Sequence, residues 1–302
     1  MGEPRLLKFA YLEVTGRCNE MCDHCYADSS PKGTHGSMTA GEWADVIDQL
    51  AGMGVVDVQF IGGEPTLYPP LPDLVRHAHA AGLSVEVFSN LTYMRDGMWA
   101  MFKDCNVKLA TSYYSDDPAE HDNITHLHGS HKRTRANIQR AEALGIPVRG
   151  GVVSVRAQQR VQEAAKDLSA LGAWHVGGDR VRAFGRGSDG AAPTVADLCG
   201  HCALGQCAVG PEGDVWPCVL GRFLTLGNVR EAPITEIWNS PRTVKARAEI
   251  SAAHGLKPAE SCNPPQFLPM CGPCQPCVPS VGHCDPREAG SEPAAATIAS
   301  ST

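Results

Sequence analysis

Two hydrophobic periods alternate along the first 185 residues. Short β-branched runs read as strands: "KFAYLEV" (8–14), "VDVQFI" (56–61), "SVEVFS" (84–89), "VKLATSY" (107–113), "PVRGGVVSV" (147–155) and, roughly, "DRVRAF" (179–184). Between them lie "TAGEWADVIDQLAGMG", "LPDLVRHAHAAG", "DGMWAMFKD", "SHKRTRANIQRAEALG" and "QQRVQEAAKDLSALG". Apolar residues recur there at steps of three and four, as in Trp43, Val46, Ile47 and Leu50, and several segments end in Gly, a helix-stop signal. Six β/α units in series predict an α/β fold with a parallel sheet and helices outside it, either an open partial barrel or a doubly wound sheet. Both architectures place reactive groups at the C-terminal ends of the strands.

Past residue 185 the pattern breaks. "GRGSDGAAPT" reads as a linker, and nine cysteines follow between Cys199 and Cys284 with little helical periodicity. Within that stretch "AVGPEGDVWPCV" predicts a hairpin turning at Pro211 to Asp214, and "GNVREAPITEIWNSPR" predicts a turn leading into a short helix. The expected division is a barrel over 1–185, a linker over 186–198, a cysteine-rich domain over 199–284 and a disordered tail over 285–302.

Composition narrows the chemistry. With 302 residues the chain can bury a large core, so its 13 cysteines are not there to staple a small secreted module. The start "MGEPRLLKFAYLEV" has no signal-peptide pattern, and no apolar run is long enough to span a bilayer. The expectation is a cytoplasmic protein with no membrane partner, whose clustered thiols bind metal. A net charge of −7 argues against a nucleic-acid partner and suits a cationic substrate.

The stretch "TGRCNEMCDHCYA" (15–27) places Cys18, Cys22 and Cys25 within eight positions at the end of the first strand. With His24 the three thiolates make up a zinc-type donor set. A four-iron, four-sulfur cluster is the other reading: it takes four ligands, so three thiolates leave one iron open to an outside ligand.

The spacing C-x3-C-x2-C, followed by Gly62, Gly63 and Glu64 at the end of the second strand, resembles the radical S-adenosylmethionine (SAM) superfamily. The resemblance implies a partial (β/α)6 barrel and a [4Fe-4S] cluster on Cys18, Cys22 and Cys25, with the amine and carboxylate of SAM on the open iron. It also implies cleavage of SAM to a 5′-deoxyadenosyl radical that abstracts hydrogen from an unactivated C–H bond. Gly62, Gly63 and Glu64 match the segment that holds the SAM amino group. His24 stands where the family has an aromatic residue whose backbone meets adenine, and Tyr26 follows it. Ser89 and Asn90 close the third strand, where family members meet the SAM ribose or carboxylate.

Cys202, Gly213, Cys218 and the later Cys271-x2-Cys274 resemble the SPASM domain, a small cysteine-rich iron–sulfur domain that implies two auxiliary [4Fe-4S] clusters. The spacing departs from the family in its second group. The expected ligands are Cys199, Cys202, Cys207, Cys218, Cys271, Cys274, Cys277 and Cys284, leaving Cys262 over. Cys105, at the end of a barrel helix, is expected to pack in the core.

For the substrate the leading expectation is a carbohydrate or aminoglycoside, epimerised at a sugar carbon with Cys262 returning hydrogen as in the neomycin-type epimerases. Asp116, Asp117 and Glu120 in "SDDPAEHD" would meet its ammonium groups, with Asp122 beside them. The alternatives are a maturase that crosslinks or epimerises a ribosomally made peptide, and an alcohol dehydrogenase. An electron donor such as flavodoxin or ferredoxin is the expected partner. His121, His126, His128 and His131 read as a polar loop.

Overall fold

A computed structural model describes residues 6–95 and 97–255. Six parallel strands come first: β1 (Phe9–Thr15), β2 (Asp57–Gly62), β3 (Ser84–Phe88), β4 (Lys108–Tyr113), β5 (Val148–Ser154) and β6 (His175–Arg180). The helices between them are α1 (Ala40–Gly52), α2 (Leu71–Ala80), α3 (Met98–Asp104), α4 (Pro118–Thr125), α5 (Ser130–Ala143) and α6 (Val161–Ala170). The strands lie side by side in chain order, from β1 to β6. Because β-crossover-β connections are right-handed, an order with no reversal puts every helix on the same face of the sheet. That is a partial (β/α)6 barrel; a doubly wound sheet needs a switch point that this order lacks.

The period of two along each strand separates the faces. Ala10, Leu12, Val14, Val58, Phe60, Val85 and Val87 are buried in one cluster with Trp43, Val46, Ile47 and Leu50 of α1. The alternate positions include polar groups. Arg149 donates from Nε and Nη2 to Glu86 at 2.8 Å each, and Gln59 donates to the same carboxylate. Thr39 caps α1 by accepting from the Glu42 amide at 3.2 Å, and the Glu42 carboxylate accepts from the Thr39 amide at 2.7 Å.

Two elements differ from the sequence reading. The sixth strand runs over 175–180 instead of 179–184, because pairing with β5, Arg149 to His175 through Ser154 to Arg180, sets its position. Helix α4 takes up the first part of the segment read as a polar loop, with Asp117 as N-cap and Pro118 in the first turn.

The chain then returns to the barrel. β7 (Gln206–Val209) pairs parallel with β1, and β8 (Asp214–Trp216) and β9 (Gly227–Asn228) extend it antiparallel, forming the expected hairpin. α7 (Ile234–Asn239) and α8 (Pro241–Ala253) follow. Among the described residues no helix is long and apolar enough to cross a membrane.

Candidate functional site

The loop after β1 is held on three sides. Gly16 and Cys18 donate from their amides to the carbonyls of Thr34 and Ser30, at 2.9 and 3.0 Å. Met21 and Asp23 donate to the carbonyls of Thr125 and Ile124 at the end of α4, both at 3.1 Å. The end of β2 closes the third side, Gly63 donating to Thr15 at 2.7 Å and Glu64 to Arg17 at 2.8 Å. A Cβ on Gly63 would stand 2.3 Å from the Arg17 carbonyl oxygen, so only glycine lets the two strand ends approach this closely.

Glu64 is fully buried and accepts from the Thr66 amide and hydroxyl, the Ser89 hydroxyl and the Asn90 amide, at 3.0, 2.7, 2.8 and 2.8 Å. Burial raises its pKa while these donors oppose the rise. The Asn90 side-chain amide lies 3.8 Å from the Cys18 sulfur and 2.8 Å from Asn19 Oδ1.

Cys18, Cys22, His24, Cys25, Tyr26, Gly62, Gly63 and Asn90 line one cavity of about 620 Å³, part of it open to solvent. Ile61, Phe88 and Tyr114 give it apolar walls, and Glu20, Ser29, Ser112 and Arg186 add polar ones. The sequence reading missed these seven. Burial pushes Glu20 up to about 8 and holds His24 down to about 4. His24 Nδ1 and Ser29 Oγ are buried with no hydrogen-bond partner.

These observations fit a bound cluster and cofactor. Burial, with Glu64 or Glu20 adding like charge, pushes the Cys18 and Cys22 thiols up, so a cation must supply the charge that turns them into thiolate ligands. His24 and Ser29, the residues with these unpartnered polar atoms, both line the cavity. Among the described residues no three His, Cys, Asp or Glu side chains gather closely enough to hold a single metal ion.

Beyond the barrel, Cys202 lies 3.1 Å from Cys218 and 3.9 Å from Cys199, sulfur to sulfur. Cys207 is in a different apolar cluster, sealed in the main core on the helix-facing side of β7, where burial pushes its thiol up to about 12. Cys105 also packs in the main core, as expected. Cys262, Cys271, Cys274, Cys277 and Cys284 lie outside the described residues.

Asp116, Asp117 and Glu120 do not line the cavity. Asp116 accepts two bonds of 2.7 Å from Arg160, Asp117 caps α4, and Glu120 accepts from the Arg160 amide at 3.2 Å. Asp122 is taken up by the amides of Gly129 and His131 and the Ser130 hydroxyl. Of the histidines, His126 and His128 lie exposed in the loop between α4 and α5, as expected, whereas His121 in α4 is buried against the rings of Tyr113, Tyr114 and His131 of α5.

A parallel barrel whose strand ends bring three thiols and two glycines to one cavity suits an enzyme that binds a metal cluster beside a small-molecule cofactor. Residues 12–157 match the radical SAM superfamily and residues 198–278 match the SPASM iron–sulfur cluster-binding domain. The chain carries a radical SAM domain followed by a SPASM domain. Its radical SAM domain binds SAM and a [4Fe-4S] cluster, and the SPASM domain binds auxiliary iron–sulfur clusters.

Among curated relatives, the antilisterial bacteriocin subtilosin biosynthesis protein AlbA of Bacillus subtilis is 27% identical over 88% of this chain, which spans 66% of AlbA. The AdoMet-dependent heme synthase of Methanosarcina barkeri is 24% identical over 90% of this chain and 91% of its own. The PqqA peptide cyclase of Streptomyces rochei is 28% identical over 78% of this chain and 76% of its own. The crystal structure of Streptococcus suis SuiB bound to precursor peptide SuiA aligns with a TM-score of 0.67 at 14% identity, covering 81% of this chain and 67% of SuiB, and so shares its fold.

Proposed function

We propose that this protein is a cytoplasmic radical SAM maturase that abstracts hydrogen from a peptide substrate. The observation that carries this reading is the likeness to a PqqA peptide cyclase over 78% of the chain. When bound, the cluster and SAM supply the carbon-centred radical that removes a C–H hydrogen.

The chain's own groups have separate tasks in this reading. Cys18, Cys22 and Cys25 would hold the [4Fe-4S] cluster. Gly62, Gly63 and Glu64, with Ser89 and Asn90, hold the amino-acid end of SAM, and His24 and Tyr26 border its adenine. Ile61, Phe88 and Tyr114 keep water from the reacting carbon. Cys199, Cys202 and Cys218 join Cys271, Cys274, Cys277 and Cys284 in holding auxiliary clusters, and Cys207 is left out of that set. A flavodoxin or ferredoxin supplies electrons.

A second reading keeps a small-molecule substrate, such as a sugar carbon epimerised with Cys262 as hydrogen donor. The likeness to a heme synthase across 91% of that enzyme favours it. The acidic residues of α4 lend it little support, since Arg160 and backbone amides already engage them.

The two readings separate in one experiment. The anaerobically reconstituted, reduced protein is incubated with SAM in deuterated water, once with a precursor peptide encoded beside its gene and once with a panel of aminoglycosides. Mass spectrometry follows 5′-deoxyadenosine and product. A peptide two mass units lighter, or one heavier if epimerised, is the expected result. A mass change in an aminoglycoside with none in the peptide would overturn it.

A further inference from the structure

The segment after β6 is a short 3-10 turn, Gly185–Ser188, lying against the three-cysteine loop. Its one arginine binds three carbonyls of that loop. The Arg186 amide donates to Cys25 at 3.0 Å, its Nε to Cys22 at 2.8 Å and its Nη2 to Ser29 at 2.8 Å. The contact tolerates no side chain at Gly185, where φ is +52° and a Cβ would stand 2.4 Å from the Cys25 carbonyl oxygen. Two of the three cluster cysteines therefore have their backbone fixed by a residue about 160 positions away in sequence.

The same side chain carries charge into the site. Arg186 lines the cavity, and among the described residues its only carboxylate within 4 Å is Asp28, at 3.9 Å and largely exposed. Such an ion pair is long and solvent-screened, so it neutralises the guanidinium weakly. A cluster gaining an electron gains negative charge, and its potential responds to nearby charge and hydrogen bonds.

We propose that Arg186 is a positioning residue for the three-cysteine loop. Its planar fork fixes the loop, and its charge raises the reduction potential of the cluster that the loop carries. The inference rests on the radical SAM assignment of this loop. Lysine keeps the charge but lacks the rigid fork that meets Cys22 and Ser29 through separate nitrogens, whereas glutamine keeps donors and loses the charge.

The test compares wild-type protein with Arg186→Gln and Arg186→Lys. Redox titration follows the cluster whose electron paramagnetic resonance signal changes when SAM is added, which separates it from the auxiliary clusters. The midpoint potential of Arg186→Gln is expected to shift negative, lowering the reduced fraction about tenfold at a fixed potential, or 59 mV for one electron. Arg186→Lys is expected to keep the wild-type potential, and both variants to lose iron to a chelator severalfold faster. A wild-type potential in Arg186→Gln would overturn the proposal whatever the rate of iron loss. If Arg186→Gln assembles no cluster, Arg186→Lys decides: wild-type potential with faster iron loss supports the proposal, and a shifted potential overturns it. Wild-type protein with no SAM-responsive signal would overturn the cluster assignment, and this inference with it.

Discussion

Four donors converge on Glu64, whose side chain is fully buried. Glu64→Gln would turn one acceptor into a donor pointed at other donors. We expect a loss of about 2 kcal/mol in stability by urea unfolding, within the range for hydrogen bonds to charged groups, and at least tenfold weaker SAM binding by equilibrium titration. His121 makes a second prediction. Burial, aided by the neighbouring His131, holds its pKa down to about 3, so it stays neutral in the fold while an unfolded chain protonates it near pH 6.5. Between those values the unfolded state binds more protons, so stability falls as pH falls, by at most about 1.4 kcal/mol per pH unit for one such group. Denaturation midpoints from pH 7 to 4 would show that slope, and His121→Phe would flatten it. At this scale the sequence exposed what is local. Cys18, Cys22 and Cys25 share one loop, and Gly62 to Glu64 are contiguous. Phe88, Ser112, Tyr114 and Arg186 carry no motif, and only the alignment of separate strand ends brings them to the same cavity.

Among the elements, α4 supports the site most directly. Its last two carbonyls accept from the amides of Met21 and Asp23, inside the three-cysteine loop. Asp122 holds the turn between α4 and α5 through three donors, so Asp122→Ala should loosen that support. Faster amide exchange in residues 19–25, measured by mass spectrometry, would report it; unchanged exchange there would remove α4 from the account. Helix α1 offers a control remote from chemistry. Thr39→Ala removes a capping box and should cost about 1 kcal/mol in thermal unfolding without altering SAM cleavage. The signals that start α4, Asp117 before Pro118, were legible, but the irregularly spaced histidines from His121 on invited a loop reading. The register of β6 was less legible, because Gly177 and Gly178 lie inside it and erase the β-branched pattern by which strands are read.

For the whole molecule, the strand order follows from six repeats of one pattern, whereas the junction with the C-terminal segment was invisible in sequence. Arg222 crosses that junction. It pairs with Glu13 of β1, which is buried, and lies over the rings of Trp216 and Tyr26 at 4.7 and 5.5 Å. Tyr26 also donates to Glu13 at 3.2 Å. Arg222→Met would leave a buried carboxylate without its cation, a loss of about 3 kcal/mol, at the low end because Arg222 keeps part of its side chain in solvent. Adding Glu13→Gln should recover part of that loss, and a denaturant double-mutant cycle measures the coupling.

The pairing of β7 with β1 has a consequence for how the chain is made. Phe9 to Leu12 find their second strand partner only at Gln206 to Val209. At ribosomal speeds of about 5–20 residues per second, that partner emerges roughly 10–40 s after β1. Throughout that interval the first strand of the nascent barrel presents an unpaired apolar edge, open to mispairing with a neighbouring chain on the same polysome. Translation halted just before residue 206 should therefore yield insoluble product, and translation carried through Trp216 should restore solubility.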